Sequence, residues 1–406
     1  MTNLRIHPDL AVSPQQNGDG TLRIVVRQPE TGRMYAFSET TWAIIEALGT
    51  GATTQTAVES VVKSSAPPAQ LLSQVEKIVV QVTAAKLLID DAQPKPAEAP
   101  ARRVLFNPFY LRIPLPGIAQ LLHRLALVAN AAFSRPGLLV WCLLVASTAF
   151  LCRQHWPQML NDFSSLGSMR LWFQLYWLLP LATLVHEAGH VLACERFGVR
   201  VREVGLLFYL FQPGAYADIS EAWMLPKKSE RMIITLGGVY FESVLFCIAL
   251  LAWSQALHAD HLRRNLLVLS LLLLSRLVFN LVPFLRLDGY LLLVDLINLP
   301  NLRKRAFQYT ASLLVPQLRQ ITPLRRASRT QKTVFLVYAA LASLFTTLTL
   351  MSVARLTYAW FIAKMNHFGK PAFAITLLAV LTIFSLRLLS RIREMQATAQ
   401  NTGGAL

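Results

Sequence analysis

Apolar positions fall into two regimes along this chain. Through the first 93 residues they alternate or recur at short spacing among polar residues, the pattern of a small water-facing fold. From residue 137 onwards they gather into six long runs, 137–153, 171–194, 232–256, 265–285, 333–354 and 371–389. Each is close to the ~20 residues that carry a helix across a hydrocarbon core. The pattern predicts a mainly α, polytopic membrane protein with about six transmembrane helices and a small N-terminal α+β domain.

Within residues 1–93, Asn17-Gly18-Asp19-Gly20 reads as a turn between two extended runs, the second being Thr21–Arg27. A second turn at Pro29–Gly32 leads into Met34–Phe37. Ser38 then caps a helix with Glu39 in its first turn, running through Trp42, Ile45 and Leu48 to a stop at Gly49. Helical spacing returns over Thr54–Lys63 and Ala69–Ala84. Three strands and a helical cluster predict a winged-helix-like module. A linker follows over 94–103, opening on the proline-rich PKPAEAP. Residues 104–136 read as an interfacial segment: an extended aromatic run at Val104–Ile113, then a moderately apolar helix over 118–133. The membrane core spans 137–299, a basic loop 300–332, and two further spans with a tail 333–406.

Composition agrees with the pattern. Of 406 residues 54% are hydrophobic and 15% charged, and the mean hydropathy is +0.43. A formal charge of +17 would point to nucleic acid in a soluble protein, but its placement follows topology. Residues 296–332 hold eight Lys and Arg and no acid, so this loop is expected on the cytoplasmic side. Counting spans from it puts residues 195–231 and both termini there too. Residues 1–105 carry 10 basic and 10 acidic residues, with no surplus for DNA. No signal-peptide h-region opens the chain. The four cysteines form no CxxC and read as small apolar packing residues.

The second long run closes on LVHEAGHVLA. Ionisable groups inside an apolar helix are expensive and point to function. His186 and His190 stand i and i+4, so both imidazoles leave one helix face and can share a zinc, with Glu187 beside them as general base. A catalytic zinc takes a third protein ligand. Asp288, in NLVPFLRLDGY at the end of the fourth run, stands at matching depth and is preferred, with Glu242 and Asp295 as competing carboxylates. Glu242 could instead orient a histidine from behind. Residues 201–218 read as two short extended runs turning at Pro213-Gly214, a membrane-dipping hairpin that would hold substrate as an added strand.

HEAGH together with Leu287-Asp288-Gly289, and Asn280 and Pro283 in Asn-x-x-Pro just upstream, resembles the site-2 protease family of intramembrane zinc metalloproteases (peptidase family M50). A second proline common there is replaced by Leu285. FNPFYLRIP (106–114), GLLFYLFQPGAYADISEAW (205–223), GGVYFE (237–242) and PFLRLDGY (283–290) are similar to its peptide zinc metalloprotease branch. The resemblance implies one zinc held by His186, His190 and Asp288. Glu187 would polarise the water and Asn280 steady substrate or oxyanion; an amide satisfying helix carbonyls freed near Pro283 is the competing role for Asn280. MYAFSETTWAIIEALGTG (34–51) resembles PqqD-like peptide-recognition domains, which bind a leader peptide as an added strand. Together these imply a protease of a bacterial inner membrane that captures a ribosomally made precursor peptide, any peptide exporter being a separate chain and nucleic acid no partner. The rival readings are regulated proteolysis of a membrane-bound signalling protein and a non-catalytic peptide-binding or transport subunit.

Overall fold

The computed structural model describes residues 4–16, 20–62, 69–90, 110–117, 124–164, 166, 176–209, 212–256, 260–314, 327–378 and 382. It divides into two compact units, residues 1–300 and 301–406.

The first unit opens with β1 (Leu4–Ile6), β2 (Ala11–Gln16), β3 (Leu22–Arg27) and β4 (Met34–Ser38), followed by α1 (Glu39–Gly49), α2 (Thr54–Val62), α3 (Ala69–Ala84) and β5 (Leu88–Asp90). Strands β2, β3 and β4 form an antiparallel meander. The sequence pattern misses β1 and β5, which pair with each other across the whole domain; non-local pairing of three-residue strands leaves no local signature. Ser38 caps α1 as expected, its hydroxyl accepting the Thr41 N–H at 3.2 Å. The helix runs through Gly49, and Gly51 supplies the left-handed turn behind it (φ +91°). Trp42, Ile45 and Leu48 leave one face of α1 and pack with Val26, Val58, Leu87 and Leu88 into a closed apolar core.

This domain docks on the rest of the unit through polar contacts. Gln15 donates to the Trp223 carbonyl at 2.6 Å and accepts from Arg23 at 2.7 Å. Glu221 sits between Arg27 and Arg202. The Asn298 amide donates to the Gln16 carbonyl at 2.5 Å.

The membrane-type elements begin with β6 (Tyr110–Pro114), α4 (Ala126–Ala132), α5 (Arg135–Gln154) and α6 (Trp156–Ser164). Then come α7 (Leu179–Arg196), the hairpin β7 (Val204–Tyr209) and β8 (Gln212–Ala217), a short 3-10 turn (Ser220–Met224), α8 (Lys228–Gln255), α9 (Asp260–Leu281) and α10 (Asp288–Ile297). In the second unit are α11 (Leu302–Leu314) and α12 (Arg329–Met365).

Among the described residues, four helices are long and apolar enough to cross a membrane: α5, α8, α9 and α12. Two of the six expected spans stand differently. The described part of 171–194 is no single helix: a turn at Trp177-Leu178 precedes α7, which starts with Pro180 in its first turn, where a missing N–H costs nothing. The sixth span is helical over 369–378, and most of its remainder lies outside the described residues. Helix α9 ends at Leu281, two residues before Pro283, because the residue preceding proline is driven out of the helical region. Helix α12, at 37 residues, is ~55 Å long and exceeds one bilayer core.

The hairpin exists, but Pro213-Gly214 is not its turn: β8 already pairs with β7 from Gln212, opposite Tyr209. Pro213 lies inside β8, opposite Phe208. Proline is tolerated in an edge strand when its nitrogen faces away from the ladder. Strand β7 is the middle of three, with β6 on its other side.

Candidate metal centre

Helix α7 delivers His186 and His190 from one face, four residues apart, at 5% and 4% exposure. Their Nε2 atoms lie 3.1 Å apart. Asp288, the first residue of α10, brings Oδ2 to 3.0 Å from His186 Nε2 and 3.5 Å from His190 Nε2. Among the described residues these three form the group of side chains that could hold a metal ion. A tetrahedral zinc with bonds of about 2.0–2.2 Å spaces its ligand atoms roughly 3.2–3.6 Å apart, close to this triangle.

Proton placement strengthens the fit. His190 Nδ1–H donates to the Ile234 carbonyl at 2.8 Å, and His186 Nδ1–H donates to Glu242 Oε2 at 2.8 Å. Each neutral ring therefore turns a bare Nε2 lone pair inward. Asp288 Oδ2 is buried and has no hydrogen-bond donor among the described residues. Three acceptors facing one another repel unless a cation lies between them, so the residues present fit a divalent metal.

Two glycines of α8 make the approach possible. A Cβ on Gly237 would stand 2.6 Å from the Gly189 carbonyl, so α7 and α8 cross backbone to backbone. A Cβ on Gly238 would stand 2.5 Å from both Nε2 atoms. Ile234, Gly238 and Glu242 are thus successive residues of one α8 stripe, spaced i, i+4, i+8, and all three face the histidines. On the opposite side, a Cβ on Gly289 would meet the Leu281 carbonyl at 2.2 Å, which lets α10 start directly against the end of α9.

The competing carboxylates have other partners. Asp295 is paired with Arg231 at 2.7 Å, both buried. Glu242, fully buried, holds His186 from behind and is itself held by Arg276 Nε at 2.5 Å. Glu187, half-buried on α7, lies near the backbone of Ala217 at the end of β8. Asn280 is half-buried near the end of α9, and among the described residues no hydrogen bond joins it to the cluster. Arg276 and the Ile234 carbonyl are not found by motif reading. An arginine in an apolar run could have been flagged as costly, whereas a backbone carbonyl has no sequence signal at all.

The sheet runs beside this cluster, with α7 packed on β8. In an antiparallel ladder, alternate residues point both backbone groups at the neighbour. Asp218 N–H bonds to the Glu203 carbonyl at 2.7 Å, which sets the phase: Gly214 and Tyr216 face β7, while Ala215 and Ala217 face outward. Ala217 does so towards Glu187. Leu206 and Phe208 of β7 are turned to β6, so β7 is occupied on both edges and an added strand has β8 as its edge on this side.

Residues 175–259 match the model of peptidase family M50. A Bacillus subtilis (strain 168) protein named "Putative peptide zinc metalloprotease protein YydH" is 28% identical over 148 residues, covering 36% of this chain and 56% of that protein. The chain thus spans little more than half the length of this relative. No solved structure matches. The family match and the protease-named relative support a membrane metalloprotease, and the His–His–Asp cluster gives it residues suited to zinc.

Proposed function

We propose that this chain is a site-2-protease-type zinc endopeptidase that hydrolyses a peptide bond beside the middle of α7, with a ribosomally made precursor peptide captured by residues 1–93 as substrate. The observation that carries the reading is the buried triangle of His186 Nε2, His190 Nε2 and Asp288 Oδ2, three inward acceptors on helices packed around α8.

His186, His190 and Asp288 would hold one zinc. When bound, zinc lowers the pKa of a coordinated water and polarises a scissile carbonyl. Glu187 takes the proton from the attacking water and passes it to the leaving amine. Glu187 lies near the Ala217 backbone, which sets the base beside the end of β8. A substrate segment laid along β8 as an added strand would be extended, with its peptide bonds unshielded by helical hydrogen bonding. Asn280 would steady substrate or oxyanion from the end of α9. The basic loop at 300–332 supports a cytoplasmic placement of both termini in a bacterial inner membrane, with the site opening to the same side.

Zinc content tests the reading. The detergent-purified chain should carry about one zinc, and His186→Ala and Asp288→Ala should each lose it. Retention in Asp288→Ala would return the third ligand to another carboxylate, and a wild type that takes up no zinc would end the protease reading.

The strand edge has its own test. Ala215→Pro removes an outward N–H without touching the β7 ladder, so KM should rise roughly 5- to 10-fold, the worth of one hydrogen bond of about 1 kcal/mol, with kcat nearly kept. An unchanged KM would place substrate elsewhere. Proline at Leu206 or Phe208 would instead break the bonds to β6 and report on the fold.

A further inference from the structure

Glu242 is fully buried on α8, yet both of its oxygens are committed. Oε2 accepts from His186 Nδ1 at 2.8 Å, and Oε1 accepts from Arg276 Nε at 2.5 Å. Glu242 and Arg276 lie within α8 and α9, two of the helices long and apolar enough to span a membrane. Each charge alone would be costly there, and together they cancel. A pair serving only to join α8 to α9 would need one oxygen. The second goes to the ring whose other nitrogen faces Asp288. His190 solves the same task with the Ile234 carbonyl, so the two histidines are oriented by chemically different acceptors.

We propose that Glu242 and Arg276 are positioning residues of the metal centre: Glu242 fixes the tautomer and ring angle of His186, and Arg276 from α9 fixes Glu242. The inference rests on the zinc reading above. It follows from general second-sphere chemistry, in which a carboxylate behind a metal-binding imidazole raises its basicity and sets its orientation. Arg276 supplies what the carboxylate needs in an apolar helix, a fixed countercharge that donates from a planar fork. Formal charge also closes around the site: a divalent zinc and Arg276 balance Asp288, Glu242 and Glu187.

The test uses the full-length protein in detergent, with zinc alone and cobalt(II) alone as probes and a chelator as competitor. Glu242→Gln preserves the side-chain shape and a carbonyl acceptor, and Arg276→Gln removes the countercharge. Each should raise the zinc Kd about 10- to 100-fold and shift the visible absorption of the cobalt-loaded protein. Because the residues act in series, the double variant should bind zinc no more than about 3-fold worse than the weaker single variant. Arg276→Lys should recover most of the loss. Thermal unfolding of the metal-free variants separates the alternative. Lower stability with wild-type zinc Kd and cobalt spectrum would show a helix-joining pair and overturn the proposal. So would losses that multiply in the double variant. A wild type that takes up neither metal would overturn the protease reading and this inference together, whereas wild-type uptake with unchanged variants overturns this inference alone.

Discussion

On the proposed protease reading, Glu187→Ala should keep its zinc and lose peptide hydrolysis. The carboxylate is not among the three atoms of the acceptor triangle, so its removal leaves His186, His190 and Asp288 with their partners. What goes is the group placed to accept a proton from water and return it to the leaving amine. Such transfer contributes about 10²–10⁴-fold, so kcat/KM should fall by that factor while metal content stays near one per chain. Glu187→Gln should behave alike, since the amide keeps the shape of the side chain but takes no proton. The paired readout also separates the rival function. A peptide-binding or transport subunit would bind its peptide equally well without Glu187, and hydrolysis would be absent from the wild type too.

Gly238→Ala has the second large effect, and it acts on the metal. The new methyl would lie 2.5 Å from both Nε2 atoms, well inside contact distance. Neither ring can turn aside without breaking its Nδ1–H bond to Glu242 or Ile234. The alternative, moving α8 outward, is opposed where Gly237 lies against Gly189. Overpacking of this kind costs about 1–3 kcal/mol, and here it falls on the ligands themselves. Zinc should drop below about a tenth of the wild-type content, with a modest loss in thermal stability. An alanine variant that binds zinc normally would show that the helices part more easily than the crossing suggests.

How far the molecule could be read from its sequence depended on whether the controlling signal was local. Ser38 and Glu39 announced a helix start because a cap acts within four residues. His186 and His190 announced a shared site because helical spacing alone puts them on one face. Asp288 was legible through the Asp-Gly step at the end of an apolar run. Glu242 was half legible: its cost inside α8 and a histidine partner could be read, whereas Arg276 on α9 could not. The hairpin turn was misplaced because Pro-Gly is a strong turn signal, yet Pro213 needs only an outward-facing nitrogen in an edge strand. Strand β6, which occupies the far side of β7, starts 94 residues upstream of it, and no local pattern encodes such a pairing. The second run has a turn at Trp177-Leu178 in its described part, and Pro180 suits a helix start better than a helix interior.

The stripe of Ile234, Gly238 and Glu242 makes α8 a reading frame. One carbonyl, one missing side chain and one carboxylate recur every four residues, and each answers a different part of the two imidazoles. A helix turns ~100° per residue, so a one-residue insertion or deletion inside the interval would swing part of the stripe off the histidines. Substitutions there can be graded, but a frameshift within the helix cannot. The interval 234–242 should therefore tolerate changes of residue type on its outer face and no change of length. The HEAGH signature lies on α7, and its counterpart is a spacing on α8.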